Sequence, residues 1–323
     1  MKKLNLAALA ATAVIFAAQP AAAEKWNLPT GYNDSNFHTQ NVVWFADKVR
    51  EATKGEIDIT VHSGASLFKL PEIPRAVRGG QVPIGEILLS NLGNEDPLFE
   101  ADMIPFLAVG LDEARKLYDA QRPALEDRLH KRGLKLLYSA PWPGNGVFSK
   151  GQINAIKDFQ GQKFRAYNQV TSRLAERLGA QPVTVQVPEI PQAFTSGVAT
   201  MMVAAASIVV DIKGWDYGRY FYDIRAFHPR SAVIVNERAF ARLSPANQKA
   251  LLDVAREAEQ RGWELCAKAQ EAVLDTMRQN KMDVLKPSPQ LMEEFRTAAS
   301  TLIDDWKQKA GPDGEKIAAA LGR

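Results

Sequence analysis

Residues 161–168 read GQKFRAYN, and the arginine in that stretch is the side chain with the most chemistry to offer. Apolar Phe164 and Ala166 alternate with polar Lys163, Arg165 and Tyr167, the two-residue period of a half-buried strand. That pattern predicts Arg165 on the face away from the core. A guanidinium there either keeps the sheet surface wet or grips an anion, because its planar fork matches the two oxygens of a carboxylate. Catalytic motifs are missing from the chain. It has no G-x-x-x-x-G-K-[ST], no H-E-x-x-H, no C-x-x-C and no G-x-S-x-G, and GNG at 144–146 lacks the rest of a dinucleotide fingerprint. His38, His62, His130 and His228 are scattered without metal-ligand spacing. No catalytic residue, metal or cofactor is therefore expected. A secreted hydrolase would need His38 beside Ser66 or Ser90, the one base–nucleophile combination on offer.

Arg165 must be positioned by its elements. Residues 24–64 read strand, loop, helix, strand, with Val42, Val43, Phe45, Ala46 and Val49 on one helix side and a stop at Gly55. A short helix, LPEIPRAVRGGQ, and a strand, VPIGEILLS, complete a β-α-β-α-β run, the signature of an α/β layer with parallel strands. A further helix and the strand LKLLYSA follow, then the loop PWPGNG at 141–146. After it the pattern restarts: strand QKFRAYN, helix to Gly179, strand AQPVTVQV, short helix PEIPQAFTSG, apolar segment VATMMVAAASIVV. Residues 244–281 form one long helical stretch, capped by Ser244 with Pro245 at its first position and interrupted only by Gly262. At 1.5 Å per residue it spans about 50 Å, more than the diameter of one domain of about 120 residues. It therefore lies across two domains or is kinked.

Ligands of open α/β sheets bind beyond the carboxyl ends of the strands, so two such domains facing one another make a cleft. The candidate lining is Arg165 with Tyr167 and Asn168 after it, Trp142 and Asn145 in the loop between the two runs, Phe37 and His38 on the first loop, Ser90 and Asn91 at a strand end, and Ser207 and Asp211 after the apolar segment. Several have a plain structural alternative: core capping for Trp142, strand-end packing for Tyr167 and Asn168, a satisfied histidine for His38, a helix cap for Asp211.

Composition sets the remaining bounds. The 323 residues are 46% hydrophobic and 24% charged, ordinary for a globular protein. Residues 1–23 carry Lys2 and Lys3, an apolar run and Ala21, Ala22 and Ala23, the plan of a secretory signal peptide cleaved after Ala23. Losing those two lysines leaves 38 of the 40 basic residues against 37 acidic ones, too balanced for a nucleic-acid partner. Cys266 is the only cysteine, so no internal disulfide forms. Export to a bacterial periplasm is expected.

The opening NFHTQNVVWFADKVREATKGEIDITVHSGASLF, the segment KDFQGQKFRAYN, the unit PVTVQVPEIPQAFTSGVAT and the late long helix together resemble the DctP-like extracytoplasmic solute receptors of tripartite ATP-independent periplasmic (TRAP) transporters. The resemblance spans nearly all of the mature chain. It implies a two-domain α/β clamshell with a hinge and a long helix bridging both domains: residues 24–145 plus about 231–265 in one, 146–230 plus about 266–323 in the other. It implies a non-enzymatic receptor that captures an organic acid through an arginine–carboxylate pair, here Arg165, and delivers it to membrane permease subunits. A monomer is expected, with a dimer open in the family. After FTSGVAT the chain departs from its relatives, since MMVAAASIVVD offers only Ser207 as a polar group before Asp211. That apolar wall, with Trp142 and Phe37, favours an aromatic or bulky monocarboxylate. A small C4-type dicarboxylate and a sensory, ligand-presenting role are the alternatives.

Overall fold

The computed structural model describes residues 23–323, and the signal-peptide reading lies almost wholly outside them. The first half contains β1 (Glu24–Pro29), α1 (Phe37–Ala52), β2 (Ile57–His62), α2 (Ile73–Arg78), β3 (Ile84–Leu88), α3 (Gly110–His130) and β4 (Leu134–Pro141). The middle holds β5 (Asn145–Ser149), β6 (Lys163–Ala166), α4 (Gln169–Arg177), β7 (Gln181–Thr184), α5 (Ile190–Thr195), β8 (Met201–Ala205), α6 (Ala206–Asp211) and β9 (Tyr220–Tyr222). The last part is β10 (Arg230–Asn236), α7 (Glu237–Arg242), α8 (Pro245–Gln279), β11 (Asp283–Leu285) and α9 (Pro289–Ala320).

Local signals fix most of these elements. The Asn36 side chain accepts from His38 N at 2.9 Å and starts α1, whose Val42, Phe45, Ala46 and Val49 are buried on one side. Asn168 and Thr171 close a capping box on α4, as the N-x-x-T spacing requires. The apolar segment after FTSG divides into buried β8 and the short helix α6.

The strands assemble into two lobes, as expected, but the sheets are mixed rather than parallel. β1 and β2 pair in parallel, whereas β10 lies antiparallel between β3 and β4. β10 is drawn from sequence beyond the second lobe and is buried along its whole length, so it knits the chain back into the first lobe. A third, six-stranded sheet has the order β11-β9-β5-β8-β6-β7, with β6 parallel to both neighbours and β5 antiparallel to β8 and β9.

The chain passes from the first lobe to the second at β4–β5, returns at β9–β10 and passes over again along α8, and the first two crossings run side by side. Trp142 N donates to Pro229 O at 2.7 Å, and Asn145 N to Phe227 O at 2.9 Å. The expected PWPGNG loop is thus shorter than its six residues, because β4 and β5 extend into it from both ends. We propose that the lobes divide at this pair of crossings. One stretch departs from sequence order: residues 98–108 come from the first lobe's part of the chain, yet Leu98, Met103 and Phe106 are buried with Val147, Phe164 and Phe295.

α8 packs on α1 and β4 at one end and on α6 and β11 at the other, a strut behind both lobes. Gly262 does not interrupt it. A Cβ there would sit 2.5 Å from the Ala140 Cβ, so glycine is what lets the helix lie directly on β4. Among the described residues no helix is long and apolar enough to cross a membrane.

Candidate functional site

The cleft between the lobes encloses a small cavity at the carboxyl end of β6. Arg165, Tyr167, Trp142, Asn145 and Asn91 line it, all anticipated, together with Tyr32, Leu70, Leu88, Gln186, Val187, Ala204, Ala205, Ile208 and Pro229. Its volume is about 40 Å³ on a scale where one water needs about 10–15 Å³. The wall from Ala204 to Ile208 is the apolar stretch noted in the sequence.

Arg165 is not on a wet sheet face. The opposing lobe covers it, leaving it 2% exposed. Its Nε donates to Val185 O at 2.8 Å, and its guanidinium carbon lies 4.7 Å from the Tyr167 ring centre. Among the described residues no carboxylate lies within ion-pair distance of it, and it is the cavity's one charged side chain. Burial lowers its pKa to about 10, which still leaves it a cation at neutral pH.

Three amides, Asn91, Asn145 and Gln186, share the cavity wall with it. Asn145 Nδ2 donates to the Tyr167 hydroxyl at 3.0 Å, while Asn145 Oδ1 and Asn91 Nδ2 are buried without a protein partner. A buried polar atom left unpaired costs about 1–3 kcal/mol, and the wall carries one such acceptor and one such donor. Behind this wall, Trp142 packs 4.2 Å from the His38 ring and 4.7 Å from Tyr32, and its Nε1 donates to Ser231 Oγ at 3.1 Å.

The other anticipated residues do not line the cavity. Phe37 packs on His38 and Trp142 from behind. His38 is a buried structural residue: Nδ1 lies 3.6 Å from Glu86 Oε1, and burial drives its pKa down to about 3, so it stays neutral. A pKa that low makes it a weak base, and the Ser90 hydroxyl is engaged elsewhere, accepting from Asn168 Nδ2 at 2.9 Å. Asn168 caps α4, Ser207 is buried without a partner, and Asp211 is held by Asn36 Nδ2 at 2.5 Å. Asp211 does not cap the turn carrying Trp215. No group of three metal-ligating side chains occurs among the described residues.

Tyr32, Gln186 and Pro229 were missed. They arrive from three distant segments, after β1, after β7 and before β10, and none has a local pattern that marks it. The carboxyl-end rule for strands points to the first two loops only in outline.

Comparison with known proteins agrees with this architecture. The family model described as bacterial extracellular solute-binding protein, family 7 (DctP), matches residues 30–309. The crystal structure of DctP7, a Bordetella pertussis extracytoplasmic solute receptor binding pyroglutamic acid, superposes with a TM-score of 0.92 at 44% identity, covering 93% of this chain and all of that one. A marine metagenome TRAP solute-binding protein, specific for pyroglutamate and crystallised with co-purified pyroglutamate, gives 0.91 at 36% identity, covering 93% of this chain and 99% of that one. The 2,3-diketo-L-gulonate-binding periplasmic protein YiaO of Escherichia coli is 25% identical over 310 residues, 91% of each chain. Receptors rather than enzymes make up this set, and they bind organic acids. The chain belongs to the family 7 (DctP) bacterial extracellular solute-binding proteins, the extracytoplasmic solute receptors of TRAP transporters.

Proposed function

We propose that the protein is a periplasmic receptor that closes on a compact cyclic monocarboxylate of the pyroglutamate type and hands it to a TRAP permease. The observation that carries this reading is the buried Arg165 guanidinium, which faces the cavity without a protein carboxylate to neutralise it. A ligand carboxylate would complete it with paired, charge-assisted hydrogen bonds, strengthened by exclusion of water. The free Asn145 Oδ1 and Asn91 Nδ2 match the N–H and C=O of a lactam ring. Ala204, Ala205 and Ile208 would face the ring methylenes.

Charge favours one ligand class over another. The cavity is small, and the Ala204–Ile208 wall offers apolar contact to a compact ring. A C4 dicarboxylate would bury a second anion with no cation beside it, a large unpaired penalty. Relatives at 44% and 36% identity that bind pyroglutamate support the same choice.

The test is isothermal titration of residues 24–323, unfolded and refolded to strip bound ligand. Pyroglutamate should bind one per chain. Proline, which lacks the ring carbonyl, should bind at least tenfold more weakly, and succinate should not register. Arg165→Ala should weaken pyroglutamate binding at least a hundredfold. Saturation by succinate or an aromatic acid with no response to pyroglutamate would sink the ligand assignment. Full affinity in Arg165→Ala would sink the carboxylate role.

A further inference from the structure

Two side chains singled out as ligand contacts do something else: they bond the lobes to each other. Asn168, at the start of α4 in the second lobe, donates through Nδ2 to Ser90 Oγ in the first at 2.9 Å. Asp211, at the end of α6 in the second lobe, accepts from Asn36 Nδ2 at 2.5 Å, and its backbone carbonyl accepts from Asn33 Nδ2 at 3.4 Å. Neither Asn168 nor Asp211 lines the cavity.

We propose that the Asn168–Ser90 and Asp211–Asn36 contacts are latches that set how long the closed receptor retains its ligand. The proposal rests on the receptor reading above and deepens it. Each latch sits on the same rigid element as a cavity residue. Ser90 adjoins Asn91 in the 3₁₀ turn Leu89–Leu92, Asn168 adjoins Tyr167, and Asp211 shares α6 with Ile208. Bringing Asn91, Tyr167 and Ile208 onto a ligand therefore brings both latches within bonding distance. Opening breaks both at once, while the caps that Asn36 and Asn168 provide remain, because those bonds stay inside one lobe. The latches thus act on the closed state alone. They should govern release rather than capture, since encounter occurs with the open form.

The side-chain economy permits clean variants. Ser90→Ala removes one latch and leaves the Asn168–Thr171 cap intact. Asn36→Ser removes the amide donor yet keeps an oxygen for His38 N. With pyroglutamate as probe in stopped flow, each variant should speed release about three- to tenfold, the range of one hydrogen bond. Association should stay within twofold and the unligated melting temperature should not move. A nitroxide pair at exposed Arg75 and Gln192, with buried Cys266 unreactive, reads lobe separation directly. In the saturated variants it should gain a longer, open component. Release rates and distances equal to wild type in both variants overturn the latches. If wild type binds no pyroglutamate, the ligand assignment fails by itself. The latches then stand if the unligated distances lengthen in the variants, and fall if all three distributions coincide.

Discussion

Two arginines are buried almost completely, and they are opposites. Arg230, 1% exposed at the start of β10, is surrounded by partners. Asp102 lies 3.6 Å from its Nε and accepts its backbone N–H at 2.7 Å, Gln121 Oε1 accepts from its Nη2, and the Tyr118 ring lies 4.7 Å away. Arg165, 2% exposed at the end of β6, has a backbone carbonyl and a tyrosine ring. Burying a cation is costly unless an anion and hydrogen bonds offset it. The fold gives Arg230, at the junction between lobes, a nearby anion and one guanidinium hydrogen bond through Nη2, while its Nε and Nη1 make none. Arg165 has no such anion, and that difference is the basis on which we propose it as the receptor for a ligand's charge.

The comparison breaks most visibly at Arg230. Arg230→Met strands Asp102, whose carboxyl burial already raises to about pKa 6. Removing one partner of such a pair should cost about 3–5 kcal/mol, read as the loss in urea unfolding at pH 7.5. The double variant Arg230→Met with Asp102→Asn should recover much of it. An Arg230→Met protein as stable as wild type would remove the basis for separating the two arginines.

A third buried charge sharpens the contrast. Glu86, in β3 below Trp142, accepts from the Thr30 hydroxyl and has only neutral His38 at ion-pair distance. Burial raises its pKa to about 7. A carboxyl in this position can escape the penalty by taking a proton, an escape that an arginine at about 10 lacks at neutral pH. The sign follows from linkage. A raised carboxyl pKa means stability that is complete below 4.5 and lost as pH rises through 7. Glu86→Gln should therefore be the more stable protein above pH 8, by about 3 kcal/mol for a shift of this size. The two should converge below pH 5, as measured by unfolding across pH. Asp102 titrates nearby in both proteins and cancels in the difference. A gap that does not change with pH would show that Glu86 keeps its charge paired.

How much of this was legible depended on how local the cause was. The long helix from Ser244 follows from neighbours in sequence and was read; the α1 cap at Asn36 and the capping box of Asn168 and Thr171 are as local but were passed over. The strand carrying Arg165 was readable too, but its burial was not, because the covering surface comes from another lobe. For the same reason Asn168 and Asp211 stood out as polar ends of elements without showing whether they faced a ligand or the opposite lobe. Gly262 looked like an interruption because its partner, Ala140, lies 122 positions away in sequence. The insertion of β10 between β3 and β4 has no sequence signal, since any buried strand reads alike.

The smallest predicted effect is the most discriminating. If Arg165 is held charged and unpaired for a ligand, the empty protein carries a penalty that the ligand removes. Arg165→Met keeps the length of the side chain and discards the charge, so the unligated variant should be more stable than wild type by about 1–3 kcal/mol, while pyroglutamate no longer raises its melting temperature. Arg230→Met predicts the reverse sign for the same chemical change at nearly the same burial. If both arginine-to-methionine variants lose stability, Arg165 is a structural cation whose partners the cavity supplies without a ligand. Opposite signs would show that burial alone does not distinguish them, and that the missing carboxylate does.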